Sequence, residues 1–170
     1  MPLWLIGMMG AGKSTLGKII AERKGWKFID TDDVVMEATG RDITELFATE
    51  GEAGFRIRES EAVALVSSHP GAVVATGGGA VLRSQNVDTM RRTGLIFWVQ
   101  AEPATLAARI AAESKGTNRP LIFDDDVEAS LRGILDDRQE AYRAAADFAI
   151  STDLLSPVEA ADLVEALWHD

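Results

Sequence analysis

The chain has 170 residues, 46% of them hydrophobic, which suffices for one domain with its own core and is short for two. Its 27 acidic residues against 17 basic ones give a net charge of −10, which argues against broad binding of nucleic acid or anionic membrane. It has no cysteine, which excludes disulfides and thiolate metal sites, and no apolar run nears the roughly 20 residues of a membrane span.

In chain order, the first element is the buried-strand pattern Leu3–Ile6. It runs into Gly7-Met8-Met9-Gly10-Ala11-Gly12-Lys13-Ser14-Thr15, the pattern G-x-x-x-x-G-K-[ST] of a phosphate-binding loop. Glycines let the backbone curl so that successive N–H groups face one anion, and the helix that follows adds its positive end. Lys13 would reach the β- and γ-phosphates of a nucleoside triphosphate, and the Ser14 hydroxyl would sit on Mg²⁺. The strand and loop begin so near residue 1 that no cleavable leader is expected, and the expectation is a cytoplasmic protein.

A helix is predicted from Lys13 to Lys24, stopped by Gly25, and a second strand over Trp26–Ile29. Asp30-Thr31-Asp32-Asp33 follows it. Read as an extended segment, residues two apart face the same way, so Asp30 and Asp32 should point together at the binding edge. One carboxylate could order a metal's water shell, and the other could orient or deprotonate a substrate hydroxyl. A helix cap at Asp32 or Asp33 would account for one of these acids only. Two helices are predicted next, from about Thr44 to Ala48 and from about Glu52 to Ser67. Arg56 lies in the second, three residues before Glu59, so either a surface ion pair or an anion contact would explain it.

The third strand, Ala72–Ala75, ends in Thr76-Gly77-Gly78-Gly79. Three glycines after a buried strand suit a ligand lying against the chain and bonding its N–H groups, or else a sharp bend. A helix follows Gln85, then a strand over Leu95–Val99 and a helix after Glu102-Pro103. Residues 113–125, polar and holding Gly116, Arg119 and Pro120, read as a lid or a plain loop; a lid arginine could neutralise a transferring phosphate. Asp124 to Asp126 read as a cap for the amphipathic helix from Val127 to about Ala145. Arg138 falls on that helix's apolar stripe and needs an anionic partner, whether an internal carboxylate or a substrate acid. A fifth strand, Phe148–Ile150, and a helix after Ser156-Pro157 complete the chain. His69 and His169 read as solvated bystanders. Five nearly continuous apolar runs alternating with helices specify a doubly wound α/β domain with a parallel sheet, its chemistry beyond the carboxyl ends of the strands.

These motifs together resemble the shikimate kinase family over nearly the whole chain. The resemblance rests on the phosphate loop 7–15, Asp30-Thr31-Asp32, Ile43 to Phe47, Gly51-Glu52, Phe55-Arg56-x-x-Glu59 and Thr76–Gly79. It also rests on Asn118-Arg119-Pro120-Leu121 and Arg138-x-x-x-Tyr142. It implies ATP- and Mg²⁺-dependent phosphorylation of the 3-hydroxyl of shikimate, towards chorismate and the aromatic amino acids. It also implies a three-layer P-loop kinase fold, its five parallel strands ordered 2-3-1-4-5. The whole of 1–170 would be one kinase domain, with a shikimate-binding subdomain at 32–60, a lid at 113–125, and a monomeric state.

By the same carry-over, Lys13, Asp32 and Arg119 are catalytic, and Asp32, Arg56, Gly78, Gly79 and Arg138 bind shikimate. Gly10, Ala11, Gly12, Lys13, Ser14, Thr15, Arg119 and Pro157 bind ATP, while Ser14 and Asp30 serve Mg²⁺. Two departures from the family pattern stand out: Arg109 is spaced differently before the lid, and leucines occupy the loop before Pro157, where basic residues are common. A gluconate-type kinase would explain the phosphate loop but not Gly77–Gly79 together with Arg56 and Arg138. A nucleotide-binding regulator without catalysis would leave Lys13, Asp32 and Arg119 unexplained.

Overall fold

A computed structural model of the chain describes residues 1–114 and 126–168. Five strands, β1 (Leu3–Ile6), β2 (Lys27–Asp30), β3 (Ala72–Ala75), β4 (Leu95–Gln100) and β5 (Phe148–Ser151), form one parallel sheet in the order β2-β3-β1-β4-β5. β1, at the centre, is wholly buried, as is β3, and β4 is buried except at its ends. The edge strands β2 and β5 are only partly covered, so the expectation of burial on both faces holds for the three inner strands. The core spreads from Trp4, Leu5, Ile6 and Phe97 to the inner faces of the helices; each such large apolar side chain contributes roughly 1.5–3 kcal/mol.

Seven helices cover the sheet among the described residues. α1 (Lys13–Lys24) starts after Gly12, whose φ of 96° only glycine adopts readily, and ends at the predicted Gly25. α4 (Ser84–Thr93), α5 (Pro103–Ser114), α6 (Val127–Ala145) and α7 (Pro157–Trp168) stand where the sequence placed helices. Asp126 caps α6 through the Ala129 N–H at 2.9 Å, the role expected of the acidic triplet.

Between residues 31 and 66 one local expectation fails and one holds. The chain after Asp30 is not extended: α2 (Thr31–Thr39) begins at once, and Asp30 caps it by accepting from the Asp32 N–H at 3.0 Å. The two helices predicted across residues 44–67 are present as the two limbs of α3 (Ile43–Val66), which part at Gly51. Gly51 holds φ 68° and ψ 179°, a glycine-only and non-helical conformation, so the helix breaks there and resumes at once in a new direction. Val35, Leu46, Phe55 and Ala62 form a small second core between α2 and α3, apart from the main one.

Candidate active site

The carboxyl ends of β1, β2 and β3 meet around a cavity of about 360 Å³. Asp32, Arg56, Glu59, Gly77–Gly79 and Arg138 line it, and Met8 and Met9 of the phosphate loop form its border. The loop's turn rests on glycines at positive φ, including Gly10 and Gly12. Lys13 Nζ donates to the carbonyls of Gly7 and Met8, each at 2.8 Å. Burial pulls its ammonium down to about 8, against the opposing pull of Asp32 and Asp30. Ser14 Oγ donates to Asp30 Oδ2 at 3.1 Å. These two hard oxygen donors, one in the first turn of α1 and one at the end of β2, suit a magnesium ion that keeps most of its water, and no cluster of three acids or histidines competes among the described residues.

Asp30 and Asp32 do come together, but not by the alternation read from the sequence. The strand ends at Asp30, and the first turn of α2 carries Asp32 beside it. Thr31, wholly buried between them, accepts from the Gly77 N–H at 3.1 Å and ties the glycine loop to the end of β2. Burial, then the neighbouring carboxylates of Asp30 and Glu59, push the Asp32 carboxyl up to about 6, while Lys13 pulls the other way. Asp32 Oδ1 and Glu59 Oε1 are buried with no hydrogen-bond partner among the described residues. Both flank the point where a Cβ on Gly77 would stand, at 2.9 and 2.5 Å, so only glycine leaves room for both oxygens.

Arg56 donates to Glu59 Oε2 at 2.9 Å and pairs with Glu52 at 3.3 Å. The guanidinium also lies flat on Gly79, where a Cβ would stand 2.2–2.3 Å from it. The ion pair read from the i, i+3 spacing is therefore real, but it is set inside the cavity rather than on the surface. Glu59 was legible only as a partner for Arg56; its full burial, which raises its carboxyl against the opposing Arg56, Arg138 and Arg83, is a tertiary fact. Arg138 is half-buried at the cavity wall and has no ion pair among the described residues. It and Tyr142 both border Gly78, and the Tyr142 phenol donates to Gly78 O and stacks on Trp98 with ring centres 5.5 Å apart. Burial raises that phenol to about 12, so it stays a donor.

On the nucleotide side, Arg109 Nη1 donates to the carbonyls of Gly10 and Ala11 at 3.3 and 3.2 Å and to Thr152 Oγ1 at 2.9 Å. Thr152 in turn bonds Ala11 O at 3.0 Å, which brings the loop after β5 against the phosphate loop. Pro157 is exposed at the first position of α7, at the far end of that loop. Of the expected lid 113–125, Glu113 and Ser114 end α5, while residues 115–125, Arg119 among them, lie outside the described residues. His169 lies outside them too, and His69 is exposed.

The family described as shikimate kinase matches residues 9–168 of the chain. The shikimate kinase of Symbiobacterium thermophilum is 45% identical over 90% of this chain and 87% of its own. That of a Nostoc species is 48% identical over 84% of this chain and 77% of its own. Among solved structures, the shikimate kinase of Acinetobacter baumannii in complex with shikimate superposes with a TM-score of 0.86 at 33% identity, covering 98% of this chain and 89% of that one. The enzyme from Bacteroides thetaiotaomicron gives 0.87 at 29% identity, covering 100% and 99%. Sequence, sheet order and site thus agree, and the chain belongs to the shikimate kinase family.

Proposed function

We propose that the chain transfers the γ-phosphoryl group of ATP to the 3-hydroxyl of shikimate, giving shikimate 3-phosphate and ADP. One observation carries the assignment: a single cavity beside the phosphate loop presents two guanidinium groups, a glycine triplet and an orphaned carboxylate oxygen. Arg56 and Arg138 hold the substrate carboxylate, with Gly78 and Gly79 beneath it, since a planar fork matches a carboxylate. Asp32 accepts the proton of the attacking hydroxyl, whose oxygen bonds to the γ-phosphorus as the bond to the β-phosphate oxygen breaks. A carboxyl near 6 is ionised at neutral pH yet basic enough for that work. Gly10 to Thr15 cradle the triphosphate, Lys13 neutralises it, and Pro157 borders the nucleotide.

Ser14 and Asp30 would hold Mg²⁺, which when bound offsets charge on the phosphate oxygens. From the sequence, Arg119 of the 113–125 lid joins Lys13 in neutralising the transferring group. The small separate core beneath α2 and α3 supports a substrate subdomain over 32–60 within one kinase domain. No helix among the described residues is long and apolar enough to cross a membrane. The absence of cysteine suits the cytoplasm, and the monomeric state is the reading that goes with the family resemblance.

The test is ADP release from ATP and Mg²⁺ across shikimate, quinate, gluconate and nucleoside monophosphates. Shikimate should give the highest kcat/KM. Better turnover of another acceptor would overturn the substrate, and nucleotide binding without turnover would favour a regulator.

A further inference from the structure

Arg83 belongs to none of the motifs above, yet it reaches the back of the acid-binding helix. It lies between the short 3₁₀ turn Ala80–Leu82, which continues the glycine triplet, and α4. Its root is pinned on both sides. Asn86 and Val87 donate their N–H groups to Arg83 O, and the buried Asn86 side chain donates to Ala80 O at 2.9 Å. From that fixed root, Arg83 Nη1 donates to Arg56 O at 3.2 Å and to Ser60 Oγ at 3.3 Å. Ser60 Oγ itself donates to Arg56 O at 3.0 Å. One loop therefore holds Arg56 at both ends: the guanidinium rests on Gly79, and the carbonyl is tethered through Arg83 four residues later.

Resting on the shikimate reading of the cavity, we propose that Arg83 is a positioning residue for substrate. It brackets the Arg56–Ser60 turn of α3 against the glycine loop, so that Arg56 and Glu59 keep one geometry towards the substrate acid. Such a bracket suits a helix kinked at Gly51, because the segment after the kink needs an anchor that the segment before it cannot supply. A charged donor shared between a carbonyl and a hydroxyl also supplies more than a neutral bond would. The three guanidinium groups of Arg56, Arg138 and Arg83 together favour the ionised form of the buried Glu59, so Arg83 acts on the site by charge as well as by geometry.

Steady-state kinetics on the full chain decide the matter, with Arg83→Met, Arg83→Lys and, as a control, Arg91→Ala. Arg91 also donates to a carbonyl, that of Ala144, but away from the cavity. Arg83→Met should raise KM for shikimate about tenfold, the scale of one charge-assisted hydrogen bond, with KM for ATP within about twofold of wild type. Arg83→Lys keeps the charge but not the fork and should recover part of the loss, to roughly a three- to fivefold rise. Arg91→Ala should leave both KM values unchanged. If Arg83→Met does not fold, Arg83→Lys decides alone: a selective rise for shikimate supports the bracket, and an unchanged value overturns it. Parallel rises for ATP and shikimate would mark a merely structural role and overturn it as well. Unchanged shikimate KM in a chain that phosphorylates shikimate sinks this inference alone, whereas a wild-type chain inert towards shikimate sinks both readings.

Discussion

Replacing Gly79 by alanine separates binding geometry from folding. A Cβ there would stand 2.2 Å from one terminal nitrogen of Arg56 and 2.3 Å from both its Cζ and the other nitrogen. To regain ordinary contact the guanidinium must retreat by roughly 1 Å, enough to spoil a hydrogen bond made at 2.9 Å. The backbone pays nothing comparable, because Gly79 has φ −98° and ψ 0°, the bridge region that alanine occupies at the third position of type I turns. The gain in chain stiffness, about 0.4–1 kcal/mol, works against the weakened Arg56–Glu59 pair, so global stability should move little. Binding should not be spared. A lost charge-assisted contact to the substrate carboxylate amounts to about 1.5–3 kcal/mol, roughly a ten- to hundredfold rise in the dissociation constant for shikimate. Calorimetric titration with shikimate, alongside urea unfolding of the same preparation, measures both sides. Shikimate affinity within twofold of wild type in a folded Gly79→Ala chain would refute the placing of Arg56 on the substrate acid.

Four further outcomes are expected. The Asp32 carboxyl, near 6, must be ionised to accept a proton, so kcat/KM for shikimate should fall about tenfold per unit well below pH 6; Asp32→Asn should lose this limb and at least about a hundredfold in kcat. Because that carboxyl titrates higher in the folded chain than in an unfolded one, its contribution to stability is fullest below about pH 4 and is lost as pH rises through 6, which unfolding curves of Asp32→Asn against the native chain would isolate. Gly51→Ala meets no atom within 4 Å, so its cost is backbone strain alone, about 1–3 kcal/mol, read as a lower urea midpoint; an unchanged midpoint would contradict the kink. Ser14→Ala removes the hydroxyl bonded to Asp30 and should raise the Mg²⁺ concentration for half-maximal rate severalfold without altering shikimate affinity, as a magnesium titration of initial rates would show.

The sequence by itself determined the parallel α/β class, six of the seven helices in position or outline, and the phosphate loop, because each of these is a local pattern. Apolar runs of three to five residues specify strands, Gly12 and Gly25 punctuate α1, and the spacing from Gly7 to Ser14 is set by the phosphate group it fits. What it misread is where two local rules compete. After β2 the acids could continue a strand or cap a helix, and Asp30 caps, so helix geometry rather than alternation brings Asp32 to the cleft. At Gly51 the break between two helices was legible, because a conformation only glycine holds separates the limbs of α3. Sheet order belongs to both sources: the resemblance to the family implied it, whereas hydrophobic periodicity carries no information about which strands neighbour one another.

Only the tertiary structure decided which charges share a cavity. Arg56 with Glu59 could have been a surface pair; burial against Gly77 and Gly79 makes it part of the site. What Arg83, Thr31 and Tyr142 do could not be read from local pattern, because each acts through a partner 27, 46 or 64 residues away. Short-range pattern reports the free energy of a segment on its own. Which polar atoms end up buried without water, and so must be answered by a distant group or by a substrate, is fixed only when the segments pack.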